Sequence, residues 1–172
     1  MSRRNRITKM LFRVSLMELM QKKPFEKVTI KGVCEQADLN RTTFYLHYRD
    51  VETLLEDTVN DYVDNVVEAL RDEEKPLVKC LNYVKKNNTT SETLLCGMGG
   101  EELRRDVLNR VIAAIQDLLP VVGTKRFNDY FYTFLVEGSA YTVARWIKSD
   151  FDIPTDELAA ILGNYINKLI AE

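Results

Sequence analysis

Glycine and proline are scarce, seven and four in 172 residues. Folds built from many short strands need turn residues at close intervals, so sandwiches and barrels are excluded and long helices are expected. No run of about 18 uncharged apolar residues exists, so no membrane-spanning helix is expected. The opening segment Met1-Ser2-Arg3-Arg4-Asn5-Arg6 is basic, and Lys9 and Arg13 interrupt the apolar residues after it. It lacks the apolar core of a secretion signal, and a cytoplasmic location is the expectation. The three cysteines, Cys34, Cys80 and Cys96, lie far apart, no CxxC occurs, and His47 is the only histidine. A zinc site needs about four clustered ligands, so no metal and no other cofactor is expected. Disulfides are not expected in a reducing compartment. A Ser-His-Asp or Cys-His arrangement would have to use His47, and no nucleophile motif lies beside it. Neither GxxxxGKS/T nor GxGxxG is present. Gly97-Met98-Gly99-Gly100 follows no predicted strand and reads as a flexible loop. No catalytic residue is assigned, and the chain is not expected to be an enzyme.

What is present is an asymmetry of charge. The formal net charge is −2. Residues 1–50 hold eleven Lys/Arg against five Asp/Glu, and residues 51–172 hold thirteen against twenty-one. A basic first third on an acidic remainder suggests a nucleic-acid-binding head on a body with another task. The acidic pI of about 5.6 does not oppose this, because the field at the contact face decides.

Apolar periodicity predicts helices almost throughout. The first runs from about Arg3 to Lys22, with Lys22-Lys23 in its last turn and Pro24 as its stop. Phe25 and Val28 read as connector residues against the core. The second, Ile30 to Ala37, follows Thr29, a good N-cap. Asp38-Leu39-Asn40 is the turn: Asp38 fits a positive φ, Leu39 plugs inward, and Asn40 caps the next helix. The third helix, Arg41 to about Tyr48, buries Phe44 and Tyr48. A helix of about eight residues, a three-residue turn and a second short helix have helix-turn-helix spacing. The exposed Arg, Thr, Thr, Tyr and His of the third helix can donate to phosphates and base edges, and no acid lies between Asp38 and Asp50.

The stretch from Lys23 to Asp50, KPFEKVTIKGVCEQADLNRTTFYLHYRD, followed by Leu54-Leu55, resembles the DNA-binding domain of the TetR/AcrR family of transcriptional regulators. The likeness covers roughly residues 7–58. Gly138 to Trp146 with Ile147, and Ile153-Pro154-Thr155-Asp156-Glu157-Leu158, resemble more weakly the subgroup that includes regulators of dihydroxyacetone-kinase operons. The resemblance implies a three-helix head followed by a helical bundle, about nine helices in all. It implies that Thr29 caps the second helix and bonds a phosphate, and that Lys31 reaches a phosphate or base. Arg41, Thr42 and Thr43 would lie in the major groove, with Asn40 and Leu46 beside them, while Tyr45 and His47 clamp the backbone. Arg3 and Arg4 would extend the contact as a basic arm. Two positions depart from the family pattern. Asp38 stands where the family usually has Gly, which implies slight strain. Val51 stands where it often has Lys, and cannot contact a phosphate. The free N–H groups at that helix start, Arg49, or the Arg3-Arg4-Arg6 arm are expected to compensate.

The expected division is residues 1–50 for the head, with its motif at about 29–48 and an extension to about 64, and residues 51–172 for the body. The body reads as helices over about 50–74, 76–86, 91–95, 101–119, 127–149 and 154–170, with a polar break at Asn87-Asn88-Thr89-Thr90. The resemblance implies an effector pocket, with Tyr62, Tyr83, Met98, Phe134 and Tyr141 as candidate linings. It also implies that the last two helices pair with a second copy. Phe131, Gly138, Tyr141, Arg145, Leu158, Ile161, Tyr165 and Leu169 are candidates for that interface, and the apolar excess of these helices agrees with two-fold pairing. The expected function is a homodimeric repressor that binds a palindromic operator in double-stranded DNA. A small-molecule effector or a partner protein would release it. The alternative is a helical co-regulator on the same scaffold with little DNA binding.

Overall fold

Heptad-like spacing of apolar residues winds nearly the whole chain into helices. The computed structural model describes residues 3–121 and 123–171. Among these, every regular element is helical: α1 (Arg3–Met20), α2 (Ile30–Gln36), α3 (Arg41–Tyr45), α4 (Val51–Leu70), α5 (Pro76–Lys86), α6 (Asn88–Leu95), α7 (Glu101–Ile115), α8 (Lys125–Lys148) and α9 (Thr155–Ala171). Single 3-10 turns lie at Phe25–Lys27 and Gln116–Leu118. The expected all-α fold of nine helices is present. None of the described helices is long and apolar enough to cross a membrane. The chain divides into two compact units after Tyr62.

In the first unit, α1 buries Phe12, Leu16, Met17 and Met20, a three-and-four-residue stripe. These meet Val33 and Cys34 of α2, Phe44 of α3, Tyr48, and Leu54 and Val59 of α4 in one core. Phe12 and Phe44 pack edge to face with centroids 5.3 Å apart, and Tyr48 completes the cluster 6.2 Å from Phe12 and 5.7 Å from Phe44. Each fully buried ring contributes about 1.5–3 kcal/mol. Helix α1 ends at Met20, two residues before the expected end. The N–H groups of Lys22 and Lys23 both reach the Leu19 carbonyl, because Pro24 disfavours helical backbone in the residue before it. Lys22 and Lys23 therefore lie past the helix and not in its last turn. Helix α3 ends at Tyr45 and not at Tyr48; the His47 and Tyr48 N–H groups both reach the Phe44 carbonyl (2.9 Å), and Tyr48 lies buried. The first unit takes in three turns of α4, beyond a boundary at residue 50.

In the second unit, α5 packs on α9, and α6 and α7 pack on α8. Leu81, Leu94, Leu95, Val107, Tyr132, Trp146 and Leu162 are among its buried side chains. The expected polar break at 87–90 is helical from Asn88 on, and Asn87 alone makes the corner. The polar side chains there are absorbed within the helices: Ser91 Oγ donates to the Val84 carbonyl (3.0 Å) and Thr93 Oγ1 to that of Thr89 (2.8 Å). Helix α4 ends at Leu70, short of Glu74, where the Asp72 carboxylate accepts the Glu74 and Lys75 N–H groups and the Lys79 ammonium. Helix α8 begins at Lys125, capped by the Thr124 hydroxyl. It ends in a tight turn in which Asp150 (φ 53°) and Phe151 (φ 58°) are both left-handed. That turn is held by Trp146 Nε1 donating to the Ile153 carbonyl (2.9 Å) and by Phe151 set edge-on to Trp146.

Candidate nucleic-acid interface

The recognition surface begins with two caps. The Thr29 hydroxyl accepts the Gly32 N–H (3.2 Å) and starts α2. Asn40 Oδ1 accepts both the Thr43 N–H (2.7 Å) and the Thr43 hydroxyl (3.0 Å) and starts α3. Between them the Leu39 N–H closes on the Cys34 carbonyl (3.0 Å), and Asp38 adopts φ 52°, the left-handed state expected of it. The two helices are thereby held as a rigid pair. Between α2 and α3 runs a shallow groove of about 600 Å³ that brings Lys31, Asn40 and Arg41 together with Glu35 and Asp38. Lys31 also lies 3.6 Å from Glu35 one turn on, an exposed pair of little energetic weight.

Arg41 and Thr42 are exposed, and Thr43 is half-buried with its hydroxyl on the Asn40 cap. Tyr45 is 60% and Leu46 77% exposed. Nothing in the packing of the unit accounts for two such side chains in solvent, which is what a surface meant for another molecule looks like. His47 is half-buried with its ring 6.2 Å from Tyr48. Arg3, Arg4 and Arg6 are exposed on the first turns of α1, which carry no acid. Cations there oppose the helix dipole, so they do not serve the helix.

The start of α4 differs from expectation. Asp50 Oδ1 accepts the Thr53 N–H (2.7 Å), so the carboxylate already occupies the helix N-terminus. Its hydrogen bonds to Thr53, and then the Arg49 guanidinium 2.7 Å away, hold the Asp50 carboxyl at about 2. The cap takes the Thr53 N–H, a phosphate at that helix start would face the Asp50 negative charge, and Arg49 is paired with Asp50. Val51 is buried in the core.

The sequence reading missed Asp57. Its Oδ1 accepts Lys9 Nζ (2.8 Å), and its Oδ2 accepts Arg13 Nε (2.8 Å) and the Tyr48 hydroxyl (2.7 Å). Arg13 also reaches Asp61. Burial raises the Asp57 carboxyl, but the bonds from Arg13, Lys9 and Tyr48 prevail and hold it at about 2. Burial and then the bond to Asp57 push the Tyr48 phenol well above its ordinary range. A signal was available: Lys9 and Arg13 stand four apart on one side of α1, and Asp57 lies one turn past the inward Leu54.

Of the five pocket candidates, Tyr83 alone lines a described cleft. Tyr62 is buried in the first unit. Tyr83 lines an open cleft of about 790 Å³ with Asn65, Glu68, Arg71, Asp72 and Lys79. Met98, Phe134 and Tyr141 are exposed, the last two at 65% and 73%. The reason is the two-sidedness of α8: Tyr132, Leu135, Val143, Ala144 and Trp146 fill its inner face, and Phe127, Tyr130, Phe134 and Tyr141 fall on the outer one. Tyr141 carries the Arg104 guanidinium 5.8 Å above its ring.

Of the interface candidates, Gly138, Tyr141, Arg145, Ile161, Tyr165 and Leu169 are exposed, and Phe131 is half-buried against Phe127. Nothing lies within 4 Å of where a Gly138 side chain would begin. Leu158 is a correction: at 3% exposure it faces its own core.

Residues 15–58 match the model of the tetR family of bacterial regulatory proteins, and residues 72–168 match that of the transcriptional regulator C-terminal region. The chain is 29% identical over 80 residues to the uncharacterized HTH-type transcriptional regulator YxbF of Bacillus subtilis (strain 168). That stretch is 46% of this chain and 21% of the relative, so the chain matches only about a fifth of that protein's length. Its fold resembles a TetR transcriptional regulator from Streptococcus agalactiae 2603V, with a TM-score of 0.68, 22% identity, and 95% and 96% of the two chains covered. It also resembles the dihydroxyacetone kinase operon activator DhaS, with a TM-score of 0.61, 14% identity, and 96% and 97% covered.

Proposed function

Because the chain belongs to the TetR family of DNA-binding transcriptional regulators, we propose that it acts as a homodimeric repressor whose two heads read a palindromic operator and release it when an effector binds the body. One observation carries the DNA-reading part: α3 turns Arg41, Thr42, Tyr45 and Leu46 to solvent on a capped helix with no acid between Asp38 and Asp50. Arg41 and Thr42 supply donors for base edges and phosphates, and Leu46 supplies an apolar surface for a thymine methyl. Phosphate contact falls chiefly to Lys31, Tyr45 and the Arg3-Arg4-Arg6 arm, since the Asp50 carboxylate sets a negative charge at the start of α4.

The homodimer is supported by the outer stripe of α8 and α9. Phe134, Tyr141, Ile161, Tyr165 and Leu169 are large side chains left in water, and two-fold pairing is the commonest way to cover such a face. A dimer engages two half-sites and so multiplies the weak affinity of one head. Effector release rests on family membership. The cleft beside Tyr83 is open and lined by six charged side chains, unlike the mostly apolar, enclosed site a drug-sized molecule needs.

The test is fluorescence anisotropy of the protein against duplexes tiling its own upstream region at two salt concentrations. Site-selective binding at two protomers per site, falling steeply with salt as counterions are released, is expected. Weak and equal binding to every duplex at both salts would overturn DNA reading in favour of a co-regulator.

A further inference from the structure

Building on the DNA-reading assignment, we propose that Asp57 is the positioning residue of the reading helix: through the Tyr48 hydroxyl, with Lys9 and Arg13 as its counter-ions, it sets the angle at which α3 is presented to DNA. Helix α3 has five residues and cannot hold its own orientation. Its start is fixed by Asn40 and the turn. Within it Phe44 is buried, but apolar contact is not directional and leaves the helix free to roll. The directional tie comes four residues after Phe44, where the Tyr48 hydroxyl donates to Asp57 Oδ2 at 2.7 Å.

The ring of Tyr48 alone fills its place beside Phe12 and Phe44. A phenylalanine would pack there, so the hydroxyl is present for its bond. That bond goes to a charged acceptor, which makes it short and strong. The acceptor is itself fixed. Lys9 takes one carboxylate oxygen and Arg13 shares the other with Tyr48, so donors from two points on α1 and one beyond α3 fix the carboxylate's plane. A part-buried carboxylate without those cations would be costly. The same arrangement withdraws Lys9 and Arg13 from the DNA-binding charge, although both lie on the basic first helix. Lys9 Nζ also sits 5.4 Å from the centre of the Tyr48 ring, so α1, α4 and the segment after α3 meet at one knot.

The test uses the full-length protein with Tyr48→Phe, Asp57→Asn and the double variant. Anisotropy is read on the operator duplex and on a scrambled duplex, at a temperature where all variants are folded. Each single substitution is expected to weaken operator binding about tenfold, the scale of one lost charge-assisted hydrogen bond. Tyr48→Phe should leave the scrambled duplex unchanged, because non-specific phosphate contacts tolerate a small roll of α3. The double variant should lose no more than the worse single, because both substitutions act on the same Tyr48–Asp57 bond. The backbone amide resonances of residues 41–46 should shift in Tyr48→Phe. Lowered unfolding midpoints with wild-type operator affinity and unmoved 41–46 resonances would overturn the proposal and make the knot purely stabilising. If the wild type binds no duplex selectively, the DNA-reading assignment fails by itself, and the 41–46 resonances still decide whether Tyr48 and Asp57 seat α3.

Discussion

The two units divide polar ties and apolar surface differently. In the head, every joint carries a named polar tie: Thr29 and Asn40 at the starts of α2 and α3, Asp50 at the start of α4, and Asp57 across α1, Tyr48 and α4. In the body, polar ties such as Arg104 to Glu137 and Ser91 to the Val84 carbonyl stand beside a whole stripe of aromatics left over on the outside. Directional bonds fix angles, and apolar area supplies stability without fixing them. A unit that must present one short helix to a base pattern needs angles. A unit that meets a second copy, as proposed for the body, needs area.

The sharpest way to break this comparison is to remove one ring from each unit. Phe44→Ala empties the centre of the head core, where Phe44 has no exposure, and should cost about 3–5 kcal/mol. DNA binding should vanish while sedimentation still reports a dimer. Phe134→Ala removes a ring of the same size from the outer stripe. It should change the unfolding midpoint by less than about 0.5 kcal/mol and raise the dimer dissociation constant instead. If Phe134→Ala leaves the dimer dissociation constant unchanged, its part of the stripe is not an interface.

The next effect is confined to the reading surface. Arg41→Ala and Tyr45→Ala should each weaken operator affinity by about 1–3 kcal/mol with unchanged melting temperature, since both side chains lie in solvent. Operator affinity equal to wild type in both variants would move the reading surface off α3.

The same contrast explains what could be read before the fold was known. Caps act within three residues, so Thr29 and Asn40 were legible, as was the left-handed Asp38 in its three-residue turn. The buried side of the head was legible from Phe44 and Tyr48 at helical spacing. Asp57 was legible only in part: Lys9 and Arg13 share one side of α1, but its partners lie 9, 44 and 48 residues away and periodicity carries no record of such a meeting. In the body, spacing placed aromatics on helices but could not tell which of two faces looks inward. Phe134 and Tyr141 were therefore assigned to a pocket although they face water, and Leu158 to an interface although it faces its own core. The run Asn87-Asn88-Thr89-Thr90 reads as a loop by composition, and the hydroxyl bonds of Ser91 and Thr93 to carbonyls of α5 and α6 admit it to a helix.

Acid should separate the units further. The Asp57 carboxyl sits at about 2 in the folded head, below its ordinary value near 3.9. A depressed carboxyl contributes stability above its unfolded value and loses it as pH falls through the folded one. The head should therefore weaken between about pH 4 and pH 2. The Tyr48 phenol, displaced upward, contributes below its ordinary value near 10 and loses that contribution as pH rises beyond it. Amide resonances of residues 41–62 should broaden or vanish in acid before those of α5 to α9, and Asp57→Asn should flatten the acid limb. Simultaneous loss of both sets in the wild type would show that Asp57 does not govern the head's acid limb.

The smallest effect makes the finest comparison, because each unit holds an aspartate in nearly the same left-handed state: Asp38 at φ 52° and Asp150 at φ 53°. Glycine adopts this state without steric cost, but it also gains freedom in the unfolded chain, about 0.5–1 kcal/mol against the fold. Aspartate is among the residues that tolerate the state best, so the two effects nearly cancel, and Asp38→Gly and Asp150→Gly should each shift stability by less than about 0.5 kcal/mol. Their effects on DNA should differ. Asp38 lines the groove between α2 and α3 beside Lys31 and Arg41, so its removal takes a negative charge off the face that meets phosphate. Operator affinity should rise slightly, most at low salt where the repulsion is least screened, and Asp150→Gly should leave it unchanged. Equal affinities in the two variants at low salt would mean that the groove beside Asp38 lies outside the reach of the DNA charge.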